Sequence, residues 1–116
     1  MTRQGFETGF FNWKMLAQKT ACPVIKAGQK GCLIKGTHGM TWVPAFTVDV
    51  VDTIGAGDAF AAGFLFGLKE KGMTREEAAR FGNAVGANNC LCVGGINPSL
   101  TYQTVMQFME RKHECL

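Results

Sequence analysis

The turn Gly55-Ala56-Gly57-Asp58 carries the residue types best suited to chemistry in this chain. Gly55 and Gly57 have no Cβ, so the backbone there can approach a phosphate closely. A carboxylate beside a phosphate is unfavourable unless it takes part in a reaction. The natural reaction step for Asp58 is to accept a proton from a hydroxyl that attacks the phosphate. On the turn alone a second interpretation also fits, in which Asp58 caps a helix and the glycines allow close packing.

A strand and a helix must position this turn. The β-branched residues Val48, Val50 and Val51 predict a strand over 46–51. The residues from Asp58 to Leu68 are apolar nearly all round, which predicts a buried helix. A helix that starts at the glycine turn presents unpaired N–H groups and the positive end of its dipole, so the pattern predicts an anion site.

The stretch from Asp52 to Asp58, followed by Ala62-Gly63-Phe64-Leu65, resembles the C-terminal signature of the ribokinase (PfkB) family of carbohydrate kinases. The resemblance implies that Asp58 is the catalytic base and that Gly55, Ala56 and Gly57 form the anion hole. It implies transfer of the γ-phosphoryl group of ATP to a sugar hydroxyl, with Mg²⁺ bridging phosphate oxygens. The N–H groups of Ala56, Gly57 and Asp58 would stabilise the charge on the phosphate.

Two further stretches resemble the nucleotide site of the same family. Residues 24–31 are similar to a strand and a Gly-x-x-Gly turn that lie against the phosphates, which implies roles for Gly28, Gly31 and Lys26. A solvated lysine is the alternative for Lys26. Residues 83–87 resemble the lining of the adenine pocket, which implies that Asn83 and Gly86 contact the nucleotide. For Asn83 the alternative is an amide on the protein surface.

The segment 90–99 resembles a family loop whose backbone carbonyls bind a monovalent cation beside the anion hole. The resemblance implies a potassium ion that offsets negative charge near the phosphates. The implied carbonyl donors come from this loop and from the signature: Asp52, Ile54, Cys90, Val93, Gly95 and Ser99.

Composition and charge exclude several classes of protein. The net charge is +3 and the basic residues are scattered, so no surface for nucleic acid is expected. The N-terminus lacks an apolar signal segment and no apolar run reaches the length of a membrane span. The five cysteines have neither zinc spacing nor an even count. We therefore expect a cytoplasmic protein with no membrane or nucleic-acid partner.

The remaining elements follow from periodicity and turn residues. An amphipathic helix is expected over 6–20, a short strand over 23–28, and a hairpin from 32–35 and 40–43, with His38 exposed at its tip. Lys69 to Gly72 supply a basic last turn and a glycine, which are expected to end the helix after the glycine turn. Thr74 and Glu77 have the spacing of a capping box, and they open a helix of small residues that can pack closely on its neighbour. Thr101 can cap a last helix.

These elements predict an α/β fold. The resemblance implies a ribokinase-like three-layer α/β/α arrangement, present in part because the match covers only the C-terminal portion of the family's length. Residues 1–116 are therefore expected to form a single partial domain. Either the chain is a fragment, or a partner chain supplies the missing N-terminal part.

Three functions remain open at this point. The first is the ATP-binding, catalytic part of a carbohydrate kinase, and the second is the same part of a nucleoside kinase. The third is a non-catalytic module for nucleotide binding or protein interaction. The presence of both Asp52 and Asp58 favours catalysis, since a module that only binds ATP gains nothing from a carboxylate facing phosphate.

Overall fold

The computed structural model of the chain describes residues 24–26, 30–36, 39–95 and 100–114. Its sheet has three antiparallel strands in the order β1 (Val24–Lys26), β2 (Gly31–Gly36) and β3 (Gly39–Pro44). The predicted hairpin is confirmed, because Gly36 pairs with Gly39 and Cys32 pairs with Val43. The predicted helix over 6–20 and the hairpin tip at His38 lie outside the described residues.

The middle strand holds the sheet against the helices. Cys32 and Ile34 of β2 have no exposed surface, and Val43 of β3 is also buried. The strand begins at Gly31, whose φ of 117° is unfavourable for any residue with a side chain. A Cβ at this position would also overlap the carbonyl oxygen of Val43. Gly31 is therefore explained by the geometry of the β2–β3 pair.

The strand predicted over 46–51 does not form. Residues 45–50 have no regular secondary structure, and no strand pairs with them within the described ranges. β-branched residues favour an extended backbone, but a strand also needs a neighbouring strand to complete its hydrogen bonds. Val51 instead donates its N–H to the carbonyl oxygen of Cys90 at 2.8 Å. The side chains of Val50 and Val51 are 41% and 59% exposed.

The two central helices have well-defined ends. Helix α1 (Ala56–Glu70) stops before Gly72, whose φ of 61° ends the helical path, as the sequence predicts. Helix α2 (Arg75–Asn89) starts at Thr74, whose Oγ1 accepts a hydrogen bond from the N–H of Glu77 at 3.2 Å. The predicted cap by Thr74 is therefore confirmed, but the carboxylate of Glu77 accepts from the Thr74 hydroxyl at 3.0 Å, and not from the backbone N–H that a capping box uses.

Glycines bring α1 and α2 into close contact, as predicted from the small residues of α2. A Cβ on Gly63 of α1 would lie 2.8 Å from Cγ2 of Val85. A Cβ on Gly82 of α2 would lie 2.9 Å from the ring and the carbonyl oxygen of Phe60. Such distances are far below van der Waals contact, so neither position can accept a side chain unless the helices move apart.

Helix α2 is the centre of the described structure, because it contacts β2, β3, α1 and α3 (Tyr102–Glu114). One core cluster joins the sheet to both central helices, and it contains Cys32, Ile34, Val43, Phe60, Phe64, Ala78 and Ala79. A second cluster joins α2 to α3, and it contains Phe81, Ala84, Val85, Ala87, Val105 and Phe108. The N–H of Thr104 donates to Oγ1 of Thr101 at 3.1 Å, which confirms the predicted cap of the last helix.

Helix α1 differs from the prediction in its burial. It was expected to be buried all round, but in the described structure it buries one face, formed by Phe60, Gly63, Phe64 and Gly67. Leu65 and Phe66 on the other side are 51% and 38% exposed. The described elements bury one side of this apolar helix and cover the other only in part, where Phe66 contacts the rings of Phe81 and Tyr102. None of the helices in the described ranges is both long and apolar enough to cross a membrane.

Candidate functional site

The N-terminus of α1 is open. Gly55 precedes the helix with φ 78° and ψ 1°, a left-handed conformation that glycine adopts at little cost. Among the described residues, no side chain accepts a hydrogen bond from the N–H groups of the first turn. Asp58 lies in that turn and is exposed. The structure therefore contradicts the interpretation in which the Asp58 carboxylate is the helix cap.

The first turn leaves two N–H groups available. The N–H of Ala56 donates to the carbonyl oxygen of Thr53 at 3.2 Å, and that of Ala59 donates to Gly55 at 2.9 Å. The N–H groups of Gly57 and Asp58 have no hydrogen-bond partner within the ranges that the structure describes. Of the three predicted donors, Ala56 is thus engaged within the turn, and Gly57 and Asp58 remain for an anion.

Neither the backbone conformation nor the packing of the described residues requires a glycine at position 57. Its φ is not positive, and a Cβ built on it meets no atom within 4 Å. A glycine inside the first turn of a helix weakens the helix relative to alanine. The open space in front of Gly57 is instead the space that a ligand needs in order to approach the backbone.

A cavity of about 440 Å³ lies beside this turn. Its volume is in the range of small-molecule sites, roughly 300–1,000 Å³. Small or apolar residues make up most of its wall, and the lining comprises Ala45, Phe46, Thr47, Val48, Val50, Thr53, Ala56, Gly57, Asn83, Gly86, Ala87 and Cys90. None of these is a lysine or an arginine, so the positive potential that the described wall offers comes from the start of α1.

Asp52 connects the turn to the segment that follows α2. Its Oδ1 accepts a hydrogen bond from the N–H of Ile54 at 2.9 Å, and its Oδ2 accepts one from the N–H of Gly94 at 2.9 Å. The hydrogen bonds from Gly94 and Ile54 favour the charged carboxylate and lower the pKa of Asp52 below its ordinary value of 3.8. Asp52 therefore acts in this structure through its carboxylate, as a link between two loops.

Asn89 holds the same turn from the opposite side. Its side chain is 4% exposed, and its Nδ2 donates to the carbonyl oxygen of Ile54 at 3.0 Å. From sequence, Asn89 is expected only to end the helix, although positions 82, 86 and 89 recur on one face of α2. Gly86 on that face also meets the turn, because a Cβ on it would lie 3.3 Å from the carbonyl oxygen of Ala56.

Asn83 is buried in the wall of the cavity rather than exposed on the surface, so the surface alternative is wrong. Its Nδ2 donates to the carbonyl oxygens of Val43 at 3.1 Å and Pro44 at 3.2 Å. The side-chain amide nitrogen therefore ties the end of β3 to α2. Contact between Asn83 and a base or ribose stays a prediction.

The other predicted nucleotide residues are not part of the cavity wall. Lys26 lies in β1 and Gly31 begins β2, and neither is among the residues that line the cavity. Gly28 lies outside the described residues. Gly86 does line the cavity, together with Ala56 and Gly57. Of the predicted nucleotide residues, the structure therefore brings Asn83 and Gly86 to the same cavity as the glycine turn at the start of α1.

The predicted carbonyl ligands of a monovalent cation are partly engaged in other bonds. The carbonyl oxygen of Cys90 accepts hydrogen bonds from the N–H groups of Val51 at 2.8 Å and Asp52 at 3.1 Å, which match its two lone pairs. The carbonyl oxygen of Ile54 accepts from Asn89. Val93 and Gly95 lie in a short 3₁₀ helix, and Ser99 lies outside the described residues. In the parts of the chain that are described, no group of three His, Cys, Asp or Glu side chains could hold a metal ion.

Comparison with known proteins gives a family match over most of the chain, including the turn at the start of α1. Residues 13–101 match the model of the pfkB family carbohydrate kinases. A sugar kinase of Dictyostelium discoideum is 33% identical over 95 residues, which covers 75% of this chain and 27% of that protein.

Solved structures agree in fold. A ribokinase of Thermotoga maritima matches with a TM-score of 0.72 and 31% identity, over 84% of this chain and 32% of that one. A nucleoside kinase of Burkholderia thailandensis in complex with inosine matches with a TM-score of 0.77 and 27% identity, over 84% of this chain and 32% of that one. The chain thus spans about a third of the length of these proteins, and the predicted α/β, ribokinase-like fold is confirmed as a partial one.

Proposed function

Because the chain belongs to the pfkB family of carbohydrate kinases, we propose that it supplies the nucleotide-binding and catalytic part of a phosphotransferase. The reaction is transfer of the γ-phosphoryl group of ATP to a hydroxyl of a sugar or sugar-like alcohol. The observation that supports this proposal is the open first turn of α1, where Gly57 faces free space and the exposed carboxylate of Asp58 follows it.

The backbone provides the anion site in this proposal. The N–H groups of Gly57 and Asp58 would donate to phosphate oxygens, and the dipole of α1 would add positive potential. The wall of the adjoining cavity is mostly apolar and includes Ala87 and Val48, which suits the flat face of a purine base. These donors are fixed before the nucleotide binds, so they need no reorganisation during the reaction.

Asp58 is the general base of the proposed reaction. Its carboxylate would accept the proton of the acceptor hydroxyl as that oxygen attacks the γ-phosphorus, and the bond from phosphorus to the leaving oxygen of ADP breaks. General-base catalysis contributes roughly 10²–10⁴-fold to a rate. The position of Asp58 in the same turn as the proposed phosphate donors supports this role.

The metal ion in this proposal is the one that binds together with ATP. Mg²⁺ would accompany ATP and neutralise part of the charge of its phosphates. A potassium ion would need carbonyl donors from the Asp52–Ile54 turn and the segment after α2. Since the carbonyl oxygen of Cys90 already accepts two N–H groups, binding there requires one of these hydrogen bonds to break. We therefore propose Mg²⁺ with ATP, and we give potassium no role in the reaction.

The acceptor site would come from the remainder of the family fold. The chain spans 27% of the similar sugar kinase and 32% of the similar ribokinase. Ile54 and Val93, on the two loops that Asp52 links, are 62% and 77% exposed. We propose that the remaining part of the fold, in the same or a second polypeptide, covers these apolar residues and binds the acceptor.

A nucleoside kinase is the second candidate. The specific observation in its favour is the TM-score of 0.77 with a nucleoside kinase that holds inosine. The chemistry at Asp58 would be the same, and the acceptor would differ. A non-catalytic nucleotide module is a weaker alternative, because it gives no role to the exposed carboxylate of Asp58 in the anion turn.

Thermal unfolding of the chain with and without Mg-ATP tests the proposal. A ligand that binds only the folded state adds roughly 2.7 kcal/mol at about a hundred times its Kd. For a small domain each kcal/mol raises Tm by about 4–8 °C, so the shift is readily measured. Gly57→Val should abolish most of this shift, because its side chain occupies the space in front of the turn. An equal shift in the variant, or none in the wild type, would contradict an ATP site at this turn.

A further inference from the structure

We propose that Asn89 is a positioning residue for the phosphate-binding turn, which it fixes through the carbonyl oxygen of Ile54. This inference rests on the proposed function, since it concerns the same turn. Asn89 does not line the cavity and touches no part of the proposed nucleotide site directly. Its effect on the nucleotide would therefore be exerted through the backbone of Ile54 and Gly55.

Both ends of the Ile54 backbone are held by side chains. Its N–H donates to Oδ1 of Asp52 at 2.9 Å, and its carbonyl oxygen accepts from Nδ2 of Asn89 at 3.0 Å. The carbonyl group of Ile54 belongs to the peptide unit that leads into Gly55. A hydrogen bond to this oxygen therefore restricts the rotation of that peptide unit.

This restriction matters because the next residue is a glycine. Gly55 has φ 78°, and without a Cβ it can adopt many other conformations at similar cost. A rotation at Gly55 would redirect the N–H groups of Gly57 and Asp58, which follow it in the helix. The hydrogen bond from Asn89 selects one orientation of the turn out of those that Gly55 allows.

The burial of Asn89 explains why the bond is well defined. The side chain is 4% exposed, so its amide competes little with water for the Ile54 oxygen. It projects from α2, which the glycine contacts at Gly63 and Gly82 hold firmly against α1. Ile54 itself is 62% exposed. Without Asn89, water can reach its carbonyl oxygen, so the loss should free the turn rather than unfold the chain.

The neighbouring Asn88 offers a matched control. Its Nδ2 donates at 2.8 Å to the carbonyl oxygen of Ala84, four residues earlier in the same helix. This bond lies within α2 and does not involve the turn. Asn88→Ala therefore removes the same type of side chain from the adjacent position and leaves the Ile54 contact in place.

The test compares the affinities of ATP and adenosine for the 116-residue chain in the presence of Mg²⁺. Adenosine lacks the phosphates, so the ratio of the two affinities reports on the turn alone. We expect Asn89→Ala to reduce the preference for ATP by about tenfold, as a loss of about 1.4 kcal/mol implies. Asn88→Ala should leave the ratio unchanged.

The outcomes separate this inference from the proposed function. An unchanged ratio in folded Asn89→Ala would contradict the positioning role and leave the nucleotide site intact. If the wild-type chain shows no preference for ATP over adenosine, the proposed function itself is contradicted. Equal losses of affinity for both ligands would assign Asn89 a general role in folding and overturn the inference.

A second measurement does not depend on the folding of any variant. In the wild-type chain, hydrogen exchange of the Asn89 side-chain amide can be compared by NMR with that of the exposed Gln103. A bonded, buried amide should exchange at least tenfold more slowly. Exchange of Asn89 as fast as that of Gln103 would show that the bond to Ile54 is absent and would overturn the inference.

Discussion

Gly82 of α2 lies so close to Phe60 of α1 that a Cβ on Gly82 would be 2.9 Å from both the ring and the carbonyl oxygen of Phe60. Gly57, in the first turn of α1, has no atom within 4 Å of the same hypothetical Cβ. The first glycine is thus required for the contact between the helices. The second has no such requirement, which is why we attribute it to a ligand.

Alanine substitutions should separate these two roles. Gly82→Ala should lower the free energy of unfolding by about 1–3 kcal/mol, because the added methyl group overpacks the interface. Gly57→Ala should raise it by up to about 1 kcal/mol, because alanine favours the helix and has room at this position. Urea unfolding of both variants measures the difference. A destabilised Gly57→Ala would show that Gly57 is required for folding.

The same Gly57→Ala variant should bind ATP more weakly than the wild type. Its methyl group would stand between the backbone N–H groups and the phosphate. We expect a loss of about tenfold or more in ATP affinity, with adenosine affinity preserved. Isothermal titration of both ligands measures these values. Retained ATP affinity in this stable variant would remove Gly57 from the nucleotide site.

Asp58→Asn should abolish phosphoryl transfer and spare ATP binding. The amide keeps the shape of the carboxylate but cannot accept the proton of the acceptor hydroxyl, so transfer should fall by roughly 10²–10⁴-fold. ATP affinity should stay equal or rise, because a negative charge is removed beside the phosphates. Transfer of labelled phosphate to a panel of sugars and nucleosides, in the protein completed by the rest of its fold, measures the rate. Parallel loss of binding and transfer would make the role of Asp58 structural.

Asp52 should make stability depend on pH in the acid range. Hydrogen bonds from Gly94 and Ile54 lower the pKa of its carboxyl group in the folded chain below the ordinary 3.8. A depressed pKa means that the contribution of Asp52 to stability is fully present above about pH 3.8. It is lost as the pH falls through the lower pKa of the folded state.

Asp52→Asn provides the control for this pH dependence. An asparagine amide offers one acceptor oxygen, so it cannot accept from both Gly94 and Ile54 in the same way. The variant should therefore be less stable than the wild type at neutral pH, and the difference should shrink as Asp52 becomes protonated. Urea unfolding across the acid range measures both. A constant difference at every pH would show that the charge of Asp52 makes no contribution.

Asn83→Leu should destabilise the chain even though the side chains have similar volumes. The substitution leaves the carbonyl oxygens of Val43 and Pro44 without the amide that donates to them at 3.1 and 3.2 Å. An unsatisfied buried polar group costs about 1–3 kcal/mol. Urea unfolding measures the loss. A neutral substitution would show that water or another donor replaces the amide.

The helices could be predicted from sequence because their signals are local. Gly72 with φ 61° and the cap by Thr74 each act within a few residues, and the structure has them as predicted. The strand over 46–51 could not be predicted in the same way. Val48 and Val50 favour an extended backbone, but whether they form a strand depends on a partner that is not among the described residues.

The candidate site shows the same difference between residues with local signals and residues whose role depends on distant contacts. Gly57 and Asp58 could be proposed as site residues because a glycine turn followed directly by a carboxylate is a short motif, and the stretch around it resembles a family signature. Asn89 could be assigned only to the end of the helix, because its partner, Ile54, lies 35 residues away in sequence. A nucleotide role for Gly31 stays a prediction. Its positive φ and its packing against Val43 are a further cause for a glycine, and that cause depends on strand pairing.

The contact of Gly86 with the first turn of α1 has a consequence for the speed of ligand recognition. A Cβ on Gly86 would lie 3.3 Å from the carbonyl oxygen of Ala56, so the two helices meet where the proposed phosphate donors begin. This contact, together with the hydrogen bond from Asn89 to Ile54, should keep the donors at the same spacing when no ligand is bound. The phosphates of a nucleotide should then bind in a single kinetic step, without a slow rearrangement of the turn at the start of α1. Any closing motion on binding would belong to the segments on either side of the two helices.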